Sequence, residues 1–354
     1  MSSLATVRHI LPMTTILRER TLPVAGRVLA RAGQKVNPRD VVADAILAPE
    51  HLIFDLVRAL RVPAKSVDKY LQRNAGDTIS EGDVIAQGPR GFTQRIVRAP
   101  CDGKIAAIEQ GKVILQRDLP PFELIAGYTG TVVDLVEGRG VIIEAVGALI
   151  QGVWGNDRVD SGLMRTLASQ PDSVLTPKDM NVNTRGAFIL SGHVEDPETL
   201  KVAMDVPVRG LILASMPPAL IDLARKMPYP ILLTEGFGKL PMNSAAFTLL
   251  STNQDRDVTV NAQSINLYKG RCPEVLINLP INGQAPAPPL PKAFAPGQLV
   301  RVVREPYAAQ CGTIQTILPG LSVLPNQLRA ACARIELEDK QQVIIPLVNL
   351  EVLR

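Results

Sequence analysis

Between residues 148 and 262 the apolar positions come in short unbroken runs, at 148–153, 187–190, 210–214, 231–234 and 258–260. The segments between them, 161–167, 197–204, 218–226 and 243–251, read as helices. Strands that are apolar throughout, alternating with helices, predict a parallel sheet covered on both faces and joined by right-handed crossovers. Ligands of such sheets bind outside the carboxyl ends of the strands. The loops expected there hold Gly155, Asn156, Asp157 and Arg158, then Gly192, His193 and Glu195, then Ser215 to Pro217, then Glu235, Gly236 and Gly238. His193 would form an acid–base pair with Glu195 or Glu235 if they converge. Asp157 and Glu235 are candidates to hold a cation, and the glycines let backbone approach a phosphate. A hydrogen-bonded structural histidine and tight-turn glycines are the commoner use of such residues.

Before and after this centre the pattern changes to short strands and turns. Residues 33–43 and 76–86 share the pattern G-x-x-[VI]-x-x-x-D-V-[VI]-A, from Gly33 to Ala43 and from Gly76 to Ala86. A second pair aligns Pro23, Gly26 and Val28 with Pro100, Gly103 and Ile105. Short strands entered from Gly turns close their edges best by wrapping into a sandwich or barrel. These residues resemble the barrel-sandwich hybrid family, the biotinyl and lipoyl carrier domains and their non-carrier relatives. The resemblance covers about residues 20–118 and implies the fold without the swinging arm, because no lysine stands at a hairpin tip. Between the copies, at 49–73, a helical insert is expected. Leu52, Ile53, Leu56, Val57 and Leu60 predict an amphipathic helix over 50–60, and Pro63 opens a second. Residues 127–144 predict a hairpin.

The segment 263–284 is irregular and strand-prone, with 264–268 and 274–279 expected to pair and to return onto the first module. Residues 285–296 are rich in proline and predict a semi-rigid extended linker. Beyond it, Val300, Arg301 and Val302, then Pro306 and Tyr307, then Gly312, Thr313 and Ile314, and the closing Asn349 to Val352 resemble the KOW module, an SH3-like barrel of elongation factors and ribosomal proteins. That resemblance implies contact with RNA, ribosomal or polymerase surfaces. The fold expected is therefore multi-domain α/β plus β: a barrel-sandwich hybrid over 1–147, a central parallel-sheet α/β domain over 148–262, the 263–284 segment, the 285–296 linker, and a C-terminal SH3-like β-barrel over 297–354.

Charge changes the picture only at the ends. Residues 1–118 carry 18 Lys and Arg against 12 Asp and Glu, residues 119–291 carry 13 against 17, and residues 292–354 carry 7 against 5. The basic excess sits in the outer modules, which permits an anionic partner. Candidate contacts for nucleic acid or a partner are Arg90, Phe92, Arg95 and Arg98, where the phenylalanine would stack on a base, and Arg301, Arg304 and Tyr307. A solvated hairpin face is the plainer account of the first group.

Four scattered cysteines with no C-x-x-C pair, and three histidines, give no zinc spacing and point to a cytoplasmic protein. No signal peptide and no membrane span is expected, since the longest apolar run is too short. No Walker, Rossmann or nucleophile-elbow motif occurs, so no cofactor, metal or catalytic residue is assigned. The expectation is a non-enzymatic adaptor or assembly subunit associated with transcription or translation machinery through the KOW-like module. The alternative is an enzyme or ligand-binding regulator holding a phosphate-bearing small ligand at the central strand ends.

Overall fold

The computed structural model describes residues 5–90, 94–117, 119–266, 271–279, 285–290 and 292–354. The protein is mostly β-sheet, with 45% of residues in strands and 14% in helices, so the sheets rather than the helices organise it.

The repeat in sequence is a repeat in structure. Lys35–Val36 and Thr78–Ile79 are matching strands, as are Val41–Ala45 and Val84–Gln87. Each copy's aspartate ties its own turn: Asp40 accepts the backbone N–H of Asn37 at 2.7 Å, and Asp83 that of Ser80 at 3.2 Å. The second copy is threaded into the first. Val41–Ala45 pairs antiparallel with Phe122–Ile125, and the described strands between them form a separate lobe. That lobe holds a four-stranded sheet of Glu50–Asp55, Lys112–Arg117, Gly103–Glu109 and Thr78–Ile79, over a core of Ile79, Ile85, Ile105, Val113 and Leu115.

Two expected helices are wholly or partly strands. Over 50–60, Glu50–Asp55 is extended and only Leu56–Leu60 is helical, capped by Asp55, which accepts the N–H of Arg58. Leu52 and Phe54 pack on the lobe's core while Ile53 points out, a period of two that the ladder to Lys112–Arg117 enforces. The segment after Pro63 is a short 3-10 helix, Ala64–Tyr70. Likewise 161–166 of the expected helix 161–167 lies in the strand Val159–Thr166, which is hydrogen-bonded on both sides, to Asp257–Asn261 and to Phe188–His193.

The centre is a parallel sheet of Val159–Thr166, Phe188–His193, Gly210–Met216 and Ile231–Phe237. Alternate residues face opposite layers. Ile189, Leu211, Leu213 and Ile231 pack with Leu200 and Ala224 of the helices Pro197–Asp205 and Ile221–Lys226. Phe188, Leu190, Ile212 and Leu232 pack with Ala246 and Leu250 of Ser244–Ser251. The sheet then continues antiparallel through Asp257–Asn261 and Glu274–Asn278 to the twelve-residue strand Gly140–Gln151. That strand also pairs with Ile10–Thr21. The boundary expected at 147/148 therefore falls inside one strand.

Glu274–Asn278 pairs with these strands rather than with the described residues 264–266, while residues 267 and 268 of the expected partner lie outside the described residues. The proline-rich segment is fastened to the strand Ile10–Thr21: Thr14 Oγ1 and the Thr15 N–H both donate to Pro286 O, at 2.8 and 3.0 Å. Prolines lack the N–H but keep the carbonyl, so such a segment can serve as an acceptor-only edge. The final sheet holds Leu299–Val302, Cys311–Ile317, Cys332–Leu337, Gln342–Pro346 and Leu350–Leu353, and Thr6–Arg8 from the start of the chain joins its edge in parallel. Among the described residues no helix is long and apolar enough to cross a membrane.

Candidate anion site

The carboxyl ends of the parallel strands do bring His193, Ser215 and Glu235 to one edge, but Glu235 is spent there. Its carboxylate accepts from Arg301 of the final sheet and from the backbone and side-chain nitrogens of Asn243, at 3.0 and 2.7 Å. Arg301 is buried, and it also donates to Thr234 O and pairs with Glu351. Glu351 in turn holds Arg8 at 3.0 Å, and Arg8 donates to Gly152 O. This buried chain of charges locks the first and last segments onto the central strand ends. Burial would lower the Arg301 pKa, but the charges of Glu235 and Glu351 outweigh it and raise it. Neither a cation at Glu235 nor a nucleic-acid contact at Arg301 fits this arrangement.

His193 is buried beside them. Ser215 Oγ accepts from Leu240 N at 3.0 Å and donates to Leu240 O at 2.7 Å, so its single proton is used. The 2.8 Å contact to His193 Nδ1 then requires Nδ1 to donate, leaving the lone pair on Nε2. Burial lowers the His193 pKa, against the nearby Glu195 carboxylate. Glu195 lies 3.7 Å from Nε2, too far for a hydrogen bond, and pairs with Lys239 at 2.9 Å. The expected acid–base pair is thus not joined. Gly192 is a packing residue: a Cβ there would stand 2.6 Å from Ser173 O. Gly236 and Gly238 have positive φ, and Gly238 donates its N–H to Met216 O, as turn residues do.

The loop after Gln151 divides. Gly155 is pressed against Ala262, where a Cβ would lie 2.1 Å from the carbonyl oxygen. Asn156 is buried and structural, donating to Ala224 O and Tyr229 O and accepting from Ile231 N. Asp157 and Arg158 stay exposed. Asp157, in the left-handed region at φ 63°, turns toward a different cavity from the one beside Glu235.

That cavity, of about 230 Å³, lies between the strand Ile10–Thr21 and the chain around Asn261 and Glu274. Three arginines line it: Arg18, Arg20 and Arg271. Arg18 makes a two-pronged pair with Glu274, at 2.7 and 2.6 Å. Burial alone would lower the Arg18 pKa, but the bonds and charge of Glu274 raise it. Tyr128 is fully buried and donates to Glu274 at 2.6 Å, while Asn261 donates to the Tyr128 oxygen at 2.8 Å. Burial and the Glu274 charge push the Tyr128 pKa up, so it remains a phenol donor. Arg271 pairs with Glu19 at 3.1 Å.

Arg20 differs from both. Its Nε donates to Ile125 O at 3.3 Å, and among the described residues no carboxylate lies within ion-pair distance of it. Burial lowers its pKa, with the charge of Arg271 adding to the effect, and Tyr128 opposes. The guanidinium lies over Gly127, 3.5 Å from where a Cβ would stand. A desolvated cation without a counter-charge is costly, and an anion entering the cavity would supply one.

Of these residues, sequence reasoning named only Asp157. The missed signal is Arg18-Glu19-Arg20, an alternating charge run in a strand that begins Ile10-Leu11.

The basic hairpin contains two exposed arginines, Arg90 and Arg98, with Arg95 half-buried. Arg98 donates to Gly82 O at 2.8 Å. Phe92 lies outside the described residues. Arg304 is exposed, and Tyr307 packs on the core of the final sheet. No known family model matches the chain, and no curated protein matches it. The geometry alone supports the functional reading.

Proposed function

We propose that this protein is a ligand-binding protein, and that its cavity between Arg20, Tyr128 and Arg271 takes a small molecule through an anionic group, a carboxylate or a phosphate. The observation that carries the reading is the Arg20 guanidinium, half-buried against Gly127 and without a carboxylate among the described residues, in a cavity shared with two further arginines. A ligand at 100 times its dissociation constant stabilises the fold by about 2.7 kcal/mol. Thermal melting with acetate, inorganic phosphate and amino-acid panels should show such a shift, and Arg20→Gln should remove it. Melting curves unmoved by every anion, or moved equally in the variant, would refute the reading.

A second reading, an adaptor or assembly subunit of transcription or translation machinery, draws on the resemblance of the last segment to KOW barrels and of the first to barrel-sandwich hybrids. One observation favours it. The hairpin of Ser322–Val323 and Arg329–Ala330 leaves Leu321, Val323 and Leu328 59–65% exposed. Exposed apolar side chains at one tip suit a protein surface. With Arg301 buried, RNA contact there would fall to Arg304 and other surface groups. Affinity purification from the native cytoplasm should recover polymerase or ribosomal proteins with the wild type and lose them with Leu321→Ser/Leu328→Ser. Recovery unchanged by those substitutions would remove the hairpin from the interface.

A further inference from the structure

We infer that the ligand of the arginine cavity is a zwitterion, carrying an ammonium beside its acid group, as an α-amino acid does. This rests on the anion-binding reading above and narrows it. Three arginines line the cavity, and so do three carboxylates, Glu19, Asp157 and Glu274. Four of these six charges cancel in pairs: Arg18 with Glu274, and Arg271 with Glu19. Two of opposite sign are left, Arg20 and Asp157, and they are not within ion-pair distance of each other. Both are held in place by backbone. Arg20 lies on Gly127 and reaches Ile125 O. Asp157 donates its N–H to Ala262 O at 2.8 Å, and its Oδ1 accepts the N–H of Ser264 at 2.7 Å, which leaves Oδ2 available.

A ligand with only negative charge would satisfy Arg20 but bring its charge near Asp157 and Glu19. Like charges brought together in a half-enclosed cavity repel more strongly than they do in bulk water. A phosphate dianion meets this most severely, because the lining as a whole is neutral. A ligand with separated positive and negative groups matches both remaining charges at once. The cavity is smaller than the roughly 300–1,000 Å³ of drug-sized pockets, which suits a molecule of few atoms. Asn261, Gln263 and Ser264 on its wall give a polar surround for such a ligand.

The test is calorimetric titration of the full chain with a panel of α-amino acids, each compared with the matched acid lacking the amine and the matched amine lacking the acid, and with inorganic phosphate. At least one amino acid should bind ten-fold or more tightly than either matched compound and than phosphate. Asp157→Asn should bring that amino acid down to the affinity of its matched acid and leave the acid itself no weaker. The substitution keeps an Oδ1 acceptor for Ser264, and asparagine tolerates a left-handed backbone, so the loop is preserved. Arg20→Gln should abolish binding of both amino acid and acid. Phosphate or plain carboxylates binding as tightly as the amino acids would overturn the zwitterion while sparing the anion site. An Asp157→Asn protein with unchanged preference would do the same. Absence of binding by every acid, amino acid and phosphate would overturn both readings.

Discussion

Arg20 and Arg301 show that an arginine's role depends on what lies opposite it. Arg301 is buried and Arg20 half-buried, yet Arg301 has two carboxylates and Arg20 has none among the described residues. Removing one member of a buried ion pair is expensive because the other is left charged and unpaired, about 3–5 kcal/mol. Arg301→Met should therefore lower the urea midpoint strongly, leaving Glu235 buried without a cation and Glu351 with Arg8 alone. A loss below about 1 kcal/mol, as for an exposed pair, would show that the chain of charges is not desolvated as described. Neither role could be assigned from sequence, where Arg301 stands in a KOW-like pattern and Arg20 in a charged run.

Among the elements, Thr6–Arg8 is a short strand that completes the edge of a sheet built from residues 299–353. Its Arg8 reaches both Glu351 and Gly152 O, joining that sheet to the centre. Deleting residues 1–8 should expose the Leu350–Leu353 edge and leave Glu351 with Arg301 alone. Amide exchange should then quicken at 350–353 and 299–302, and remain unchanged in the lobe from 50 to 117. Uniform protection in the truncated protein would show that the edge is stable without its first strand. The strand–helix alternation from 188 to 251 was legible because each strand is a short unbroken apolar run, a signal that acts over a few residues. The segments at 50–55 and 161–166 were not, because their spacing suits either period and only the neighbouring strands decide.

For the molecule as a whole, pH offers a test of how the sheets are assembled. Burial lowers the pKa of His193 at the strand ends, and burial with the charges of Arg18, Arg354 and Arg8 lowers that of His9. In the unfolded chain both titrate near 6.5. The unfolded state thus binds more protons below that value, and stability is lost as pH falls through it toward the folded pKa values. Glu351 adds to this further down: burial would raise its pKa, but Arg301 and Arg8 hold it below the usual carboxylate range. The melting temperature should fall between pH 7.5 and 5.5, and His193→Gln should flatten the slope. A flat profile in the wild type would contradict neutral burial of both imidazoles.

The sequence by itself determined the repeat with its aspartate-tied turns, the β-rich outer segments, and the expected strands and three of the four expected helices of the centre. Those features follow from spacing, capping and turn residues that lie within about a dozen positions of one another. Only the tertiary structure decided that the second repeat forms a lobe inside the first, that the strand ends are closed by Arg301, and that Arg20 and Asp157 line a different cavity. Arg18 and Glu274 are 256 residues apart, and Arg301 and Glu235 are 66 apart. Which charges pair, and which are left without a partner, is set by strand register across such separations, and local pattern carries no record of it.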